Sequence, residues 1–336
     1  MPVTISDPTL RDGNHAARHN ITLEQIEWYA KEADKVGVDI IEVGHGNGLG
    51  ASSLQLGFSA HSDLEMLKCA RKAITMAKLG VHIIPGFAKL TDVKIAIDEG
   101  VDIFRVASHC TEADTTERYI KYLDKFSKPS VGVLMMSHMA DEYSLLTEAT
   151  KMESYGVSAV ILMDSAGSYT PSDVQLKVST LVGNLNIPVG FHAHNNLGLA
   201  VANSLTAIES GASIIDATIK GFGAGSGNTA LEVLLAAMYK CGYETNVNWH
   251  LVLELADNAE SKIVSHCPQI TTNSIISGMH GVFSGFDKHV RKAAQDYNLN
   301  TKEIYKELGK RKVVAGQEDI ILDVCLFLKN NKPMGE

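Results

Sequence analysis

Short apolar runs rich in β-branched residues alternate along this chain with longer segments whose apolar positions recur every three or four residues. The runs 3–5, 40–43, 81–84, 103–106, 131–135, 159–163, 189–192 and 213–217 read as strands. The segments 23–36, 64–77, 93–99, 115–125, 142–155, 172–182, 199–209 and 230–239 read as amphipathic helices between them. Thr22 with Gln25 three residues on has the spacing of a capping box, and Pro171-Ser172 suits the opening of the sixth helix. Gly37, Gly100, Gly156 and Gly211 each stand just before the next strand, where a helix ends in a tight turn. Eight β/α units in this order predict an α/β protein, a (β/α)8 TIM barrel over residues 1–250. Beyond it the segments 251–265, 286–297, 301–308 and 320–328 are helical in pattern with no strand between them. They predict a helical C-terminal domain over residues 251–336.

A parallel barrel presents its chemistry at the C-terminal ends of its strands. Polar and glycine residues collect at those exits here: Asp7 to His15, Gly44 to Gly48, Ser108-His109, Ser137-His138, Asp164 to Gly167, His192 to Asn196 and Lys220 to Gly223. His192 and His194 end an apolar run two residues apart, so a strand would place them on one face. Two imidazoles there are costly unless both find partners, and a divalent metal is the natural partner. Asp12 is the third ligand this reading selects, with Asp7 and Asp164 as other carboxylates able to reach the mouth. Arg11 beside it suits an enolate or carboxylate oxygen, and His15 suits proton transfer at neutral pH. His45, His109 and His138 stand at strand exits as further contacts. The run Gly221 to Asn228 reads as an anion-binding or close-approach loop, since it lacks the ending of a phosphate-binding P-loop.

Composition narrows the partners. A formal charge of −9 and the lack of a basic block argue against nucleic acid, which needs a basic surface. No apolar stretch approaches the ~20 residues of a membrane span, and no basic-then-apolar leader opens the chain. The five cysteines are scattered and never form a Cys-x-x-Cys pair, the pattern of reduced thiols in a cytoplasmic protein.

The stretch Asp7-x-Thr9-Leu10-Arg11-Asp12-Gly13 with the distant His192-x-His194 resembles the metal-dependent barrel superfamily of hydroxymethylglutaryl-CoA lyase, isopropylmalate synthase and the pyruvate aldolases. Within it, Gly13-Asn14-His15-Ala16-x-Arg18-His19, Glu42-x-x-His45-Gly46, His109 to Asp114, Met135 to Met139, Asp164 to Gly167 and Gly316 to Asp319 are similar to the 4-hydroxy-2-oxovalerate aldolase family. The resemblance implies a carbon–carbon lyase that splits 4-hydroxy-2-oxopentanoate or a homologue into pyruvate and an aldehyde. It implies Mn2+, with Co2+ as another usable metal, on Asp12, His192 and His194. Arg11 and His15 would be catalytic, and Arg11, Ser165, His192, His82 and Phe283 would meet the substrate. The tail would dock an acylating aldehyde dehydrogenase that receives the aldehyde directly, in the setting of aromatic hydrocarbon breakdown. Two departures concern the aldehyde end: Phe283 stands where family members commonly have tyrosine, and His82 where they commonly have leucine. Both bear on chain length and C4 stereochemistry. The competing readings are an acyl-CoA Claisen lyase or synthase of the same superfamily, and a non-catalytic partner subunit.

Overall fold

The computed structural model describes residues 2–263, 267–314 and 316–331. Eight parallel strands close into a barrel in sequence order: β1 (Thr4–Leu10), β2 (Ile40–Val43), β3 (Lys78–Ile83), β4 (Ile103–His109), β5 (Ser130–Met135), β6 (Val160–Asp164), β7 (Val189–Ala193) and β8 (Ile214–Asp216). Pairing of Thr4 with Ile214 and Ser6 with Asp216 seals β1 to β8. Every expected strand is present, and β1 and β4 run several residues further than their apolar cores. In β1 the cause is local. The polar residues Asp7 and Thr9 continue the strand because their side chains turn outward, where the Tyr29 hydroxyl donates to the Asp7 carboxylate. The pairing with β2 slips between Asp7 and Leu10, around Pro8, which has no N–H to give the ladder.

The helices between strands bury one face against the sheet. Capping boxes at Thr22/Gln25, Ser62/Glu65 and Thr170/Asp173 satisfy the first free N–H groups of three of them. One apolar cluster fills the layer between strands and helices, and a second, smaller one, with Ile40, Ile103, Val131, Val133 and Ile161, fills the barrel interior. β4 sets a buried guanidinium, Arg105, in that interior between Ile103 and Ala107.

Past the barrel come the helices Trp249–Lys262, Thr272–Met279, Asp287–Tyr297, Thr301–Lys310 and Ile320–Asn330. The first packs Val252, Leu255, Ala256 and Ala259 into the barrel's outer core. Its expected end at 264–265 lies outside the described residues. The last three of these helices share a separate core with Val290, Ile304, Leu308 and Val324. The helix Thr272–Met279 was not legible in the pattern. Its buried residues are Ser274, Ser277 and Gly278, and Gly278 fits against Leu197 and the Gly167 carbonyl, where a Cβ would have only 3.0–3.2 Å. Among the described residues no helix is long and apolar enough to cross a membrane.

Candidate active site

β1 stops at Leu10 and the chain turns at once into the one-turn helix Gly13–Ala16, which leaves Arg11, Asp12 and His15 at the barrel mouth. From β7, His192 and His194 meet them. One ligand atom from each of Asp12, His192 and His194 lies within 4.8 Å of the others, and all three residues are buried. The histidines are fixed in complementary fashion. His192 Nδ1 faces the Asp216 carboxylate at 2.8 Å, and His194 Nδ1 faces the Asp164 carbonyl at 3.0 Å. Each ring therefore donates from Nδ1 and keeps a lone pair on Nε2. His192 Nε2 is buried without a protein partner, and His194 Nε2 lies 3.8 Å from Asp12 Oδ2. Burial would raise the Asp12 carboxyl, but the Arg11 guanidinium and the neighbouring imidazoles outweigh it and hold it well below the usual range. Burial pushes the His194 imidazole down to about 4, against the pull of Asp12. An ionised carboxylate with the Nε2 atoms of two imidazoles beside it is a donor set that fits a divalent transition metal.

Below the triad runs a column of buried ions. Arg11 Nε donates to Glu42 Oε2 at 2.9 Å, Arg105 Nη1 donates to Glu42 Oε1, and Arg105 Nη2 donates to Asp216 Oδ2 at 2.6 Å. Asp216, against the cost of burial, is drawn down to about 2 by Arg105 and His192. Two guanidiniums thus face two carboxylates, and the chain of contacts ends on the candidate ligand His192. Arg11 also reaches Asp12 Oδ1 and the Gly46 carbonyl through Nη1, at 3.3 and 3.4 Å, while its Nη2 is buried with no partner.

His15 lies beside Asp12, Nε2 to Oδ1 3.9 Å, and burial lowers its pKa, which leaves it a neutral base. Its ring sits directly over Gly46, where a Cβ would come within 2.5 Å. His19 and His45 stack behind it with centroids 3.7 Å apart. A cavity of about 270 Å³ opens over these groups, with Ile84, Met135 and Met163 as apolar wall. Arg11, Asp12, His15, His194, His82, Ser165 and Phe283 all border it; His192 does not, since it lies beneath. Ser165 is already engaged, its hydroxyl accepting the Met136 N–H at 2.9 Å. Phe283 comes from the tail, as do Gly285, His289 and Glu318.

Other candidates fall elsewhere. Asp7 points away from the mouth toward Tyr29, and Asp164 orients His194 with its carbonyl while its carboxylate accepts the Ser168 and Tyr169 N–H groups. His45 braces its own loop through Gly57 O and Asn47 N–H, His109 pairs with Thr111, and His138 Nε2 donates to the Gly281 carbonyl of the tail. Between the two readings of Gly221 to Asn228, close approach is what the structure displays: Asn228 Nδ2 donates to Asp12 Oδ2, and a Cβ on Gly223 would crowd both. Arg105, Asp216 and Asn228 were not anticipated, and Glu42 was seen only as part of a motif. A charge inside an apolar strand, as in 103–106, was the available signal.

Residues 2–258 match the family described as HMGL-like, and residues 268–330 match a DmpG-like communication domain. The 4-hydroxy-2-oxovalerate aldolase of Burkholderia pseudomallei (strain K96243) is 54% identical over 96% of this chain and 92% of its own length. That of Spirochaeta aurantia is 51% identical over 98% of this chain and 96% of its own. Among solved structures, the N-terminal domain of a candidate aldolase from Bacteroides vulgatus superposes with a TM-score of 0.74 at 23% identity, over 88% of this chain and 96% of that one. The carboxyl transferase domain of Rhizobium etli pyruvate carboxylase gives 0.81 at 15% identity, over 98% of this chain and 62% of that one. These two likenesses speak to the fold, and the sequence relatives speak to the family. With barrel, tail and relatives in agreement over nearly its whole length, the chain belongs to the 4-hydroxy-2-oxovalerate aldolase family and is a lyase.

Proposed function

We propose that this chain cleaves 4-hydroxy-2-oxopentanoate, or a close homologue, to pyruvate and an aldehyde. The observation that carries the reading is the buried triad Asp12, His192 and His194, with both Nε2 atoms uncommitted, beside the unpartnered Arg11 Nη2 and His15. A divalent metal held there, manganese in this reading with cobalt able to replace it, supplies Lewis acidity toward the 2-oxo acid end of the substrate. Arg11 Nη2 then has a free N–H for the oxygen on which enolate charge develops. His15, neutral at pH 7, accepts the C4 hydroxyl proton as the C3–C4 bond breaks. The electron pair of that bond passes to C3, and protonation there releases pyruvate. Ser165, His82 and Phe283 border the substrate. The cavity of about 270 Å³ suits a five- or six-carbon acid.

The barrel is read as the catalytic domain, 1–250, and the tail, 251–336, as the surface that docks a partner enzyme. An acylating aldehyde dehydrogenase is the partner this reading names, because it would consume the reactive aldehyde as it leaves, and the pair would work in the cytoplasm. The supporting observation is the match of 268–330 to a communication domain.

The test is pyruvate release by purified protein from racemic 4-hydroxy-2-oxopentanoate, with Mn2+ and then with a chelator. Release that requires the metal and stops near half the substrate is expected for an enzyme selective at C4. Metal-dependent release that runs to completion would tie Phe283 and His82 to relaxed stereocontrol. A metal-loaded protein that releases no pyruvate would refute the proposal.

A further inference from the structure

The cavity wall is apolar at Ile84, Met135, Met163 and Phe283. His82, on β3, is 2% exposed, lines the cavity, and has no partner for its Nδ1. Pairing of His82 with Arg105 across β3 and β4 puts its side chain on the inner face of the barrel. Both Nη atoms of Arg105 are engaged by Glu42 and Asp216, and no hydrogen bond joins its buried Nε to the His82 ring. Burial and the nearby Arg11 and Arg105 keep the ring neutral. A neutral imidazole turns either an N–H or a lone pair toward a neighbour at each ring nitrogen, and a hydroxyl, which both donates and accepts, can answer either. Of the other polar side chains on the wall, Ser165 accepts the Met136 N–H, Gln55 and His289 are exposed to solvent, and Asn47 and Glu318 are half-buried.

We propose that His82 forms a subsite for a hydroxyl on the aldehyde-derived fragment, so that the favoured substrate is a 4,5-dihydroxy-2-oxo acid rather than one with a plain alkyl end. This rests on the aldolase reading above and names its substrate class. The reaction is unchanged. The C3–C4 bond of 4,5-dihydroxy-2-oxopentanoate breaks, the C4 hydroxyl proton leaves to His15, and the products are pyruvate and glycolaldehyde; the C5 hydroxyl is a spectator held by His82. A site that hydrogen-bonds a substrate hydroxyl discriminates strongly against the analogue lacking it, because the protein's own polar group is then left unpaired.

The test compares three racemic acids with the Mn2+-loaded protein: 4-hydroxy-2-oxopentanoate, 4,5-dihydroxy-2-oxopentanoate, and 4-hydroxy-2-oxohexanoate, in which a methyl replaces the C5 hydroxyl. The expected result is a kcat/KM for the dihydroxy acid at least about tenfold above that for the hexanoate. His82→Leu should reverse that order, and His82→Asn, which keeps a donor and an acceptor, should restore part of it. Equal or opposite preference in the wild-type protein would overturn the subsite while leaving the aldolase standing, and needs no variant to fold. Equal loss on both acids in His82→Leu would also overturn it. Absence of pyruvate from all three acids would overturn the aldolase reading and this one with it.

Discussion

Replacing Asp216 by Asn tests whether the ion column sets the metal site. One oxygen of Asp216 receives two donors, His192 Nδ1 at 2.8 Å and Arg105 Nη2 at 2.6 Å. An asparagine oxygen in that place still accepts both donors, but without the formal charge, and its NH2 falls where the unpartnered Oδ1 lies. The column of Arg11, Glu42, Arg105 and Asp216 would also pass from balanced to one excess positive charge. Hydrogen bonds to charged groups are worth about 1.5–3 kcal/mol each, and breaking a buried ion pair on one side costs ~3–5 kcal/mol. The second figure is the expected loss of unfolding free energy without metal. Loss of the carboxylate that orients a ligand histidine typically weakens metal binding ~10–100-fold. Urea denaturation in chelator reads the first quantity, and calorimetric Mn2+ titration of the folded protein reads the second. A variant that keeps both the wild-type denaturation midpoint and the wild-type Mn2+ affinity would refute the idea that this buried carboxylate holds His192.

Three further outcomes follow from other residues. The Asp7 carboxyl is raised by burial from 3.8 to about 6. Between those values the folded protein holds a proton the unfolded chain has lost, so stability falls as pH rises through that window and levels off above it. Asp7→Asn should remove that fall, gaining up to about 3 kcal/mol at pH 7 relative to pH 4, and urea midpoints at the two pH values that do not converge this way would contradict it. Gly46→Ala would place a Cβ 2.5 Å from the His15 ring. It should cost roughly 10²-fold in kcat with Mn2+ affinity kept, and a kcat at the wild-type level would mean the ring need not sit there. His15→Asn should lower kcat about 10²–10⁴-fold. Because burial lowers the His15 pKa, the acid limb of the wild-type kcat profile should fall below pH 6.5 and disappear in the variant; a limb that persists unchanged belongs to another group.

The barrel was legible because each of its eight strands is an apolar run closed by polar or glycine residues, and that alternation survives in the local sequence. The missed helix Thr272–Met279 shows the opposite case. Its buried face is Ser274, Ser277 and Gly278, so no apolar stripe announces it, and its fit against Leu197 and Gly167 is a fact of distant packing. The same division runs through the active site. His192 and His194 declare themselves by spacing, and Asp12 by its neighbours. Arg105 and Asp216 lie on opposite sides of the barrel, 111 positions apart, and each makes sense only opposite the other. Asp7 was a second carboxylate able to reach the mouth beside the selected Asp12, and the parity of β1 sends it outward to Tyr29.

The tail supplies part of the cavity wall through Phe283, Gly285, His289 and Glu318, and the Gly281 carbonyl ties that wall to His138 of the barrel. Exchange of tails between relatives would therefore be a double inheritance. On the proposed reading, the recipient would acquire its donor's partner-docking surface together with its donor's residue at position 283 of the cavity wall. On that same reading, an exchange of residues 268–330 carries the communication domain and position 283 of the cavity wall together.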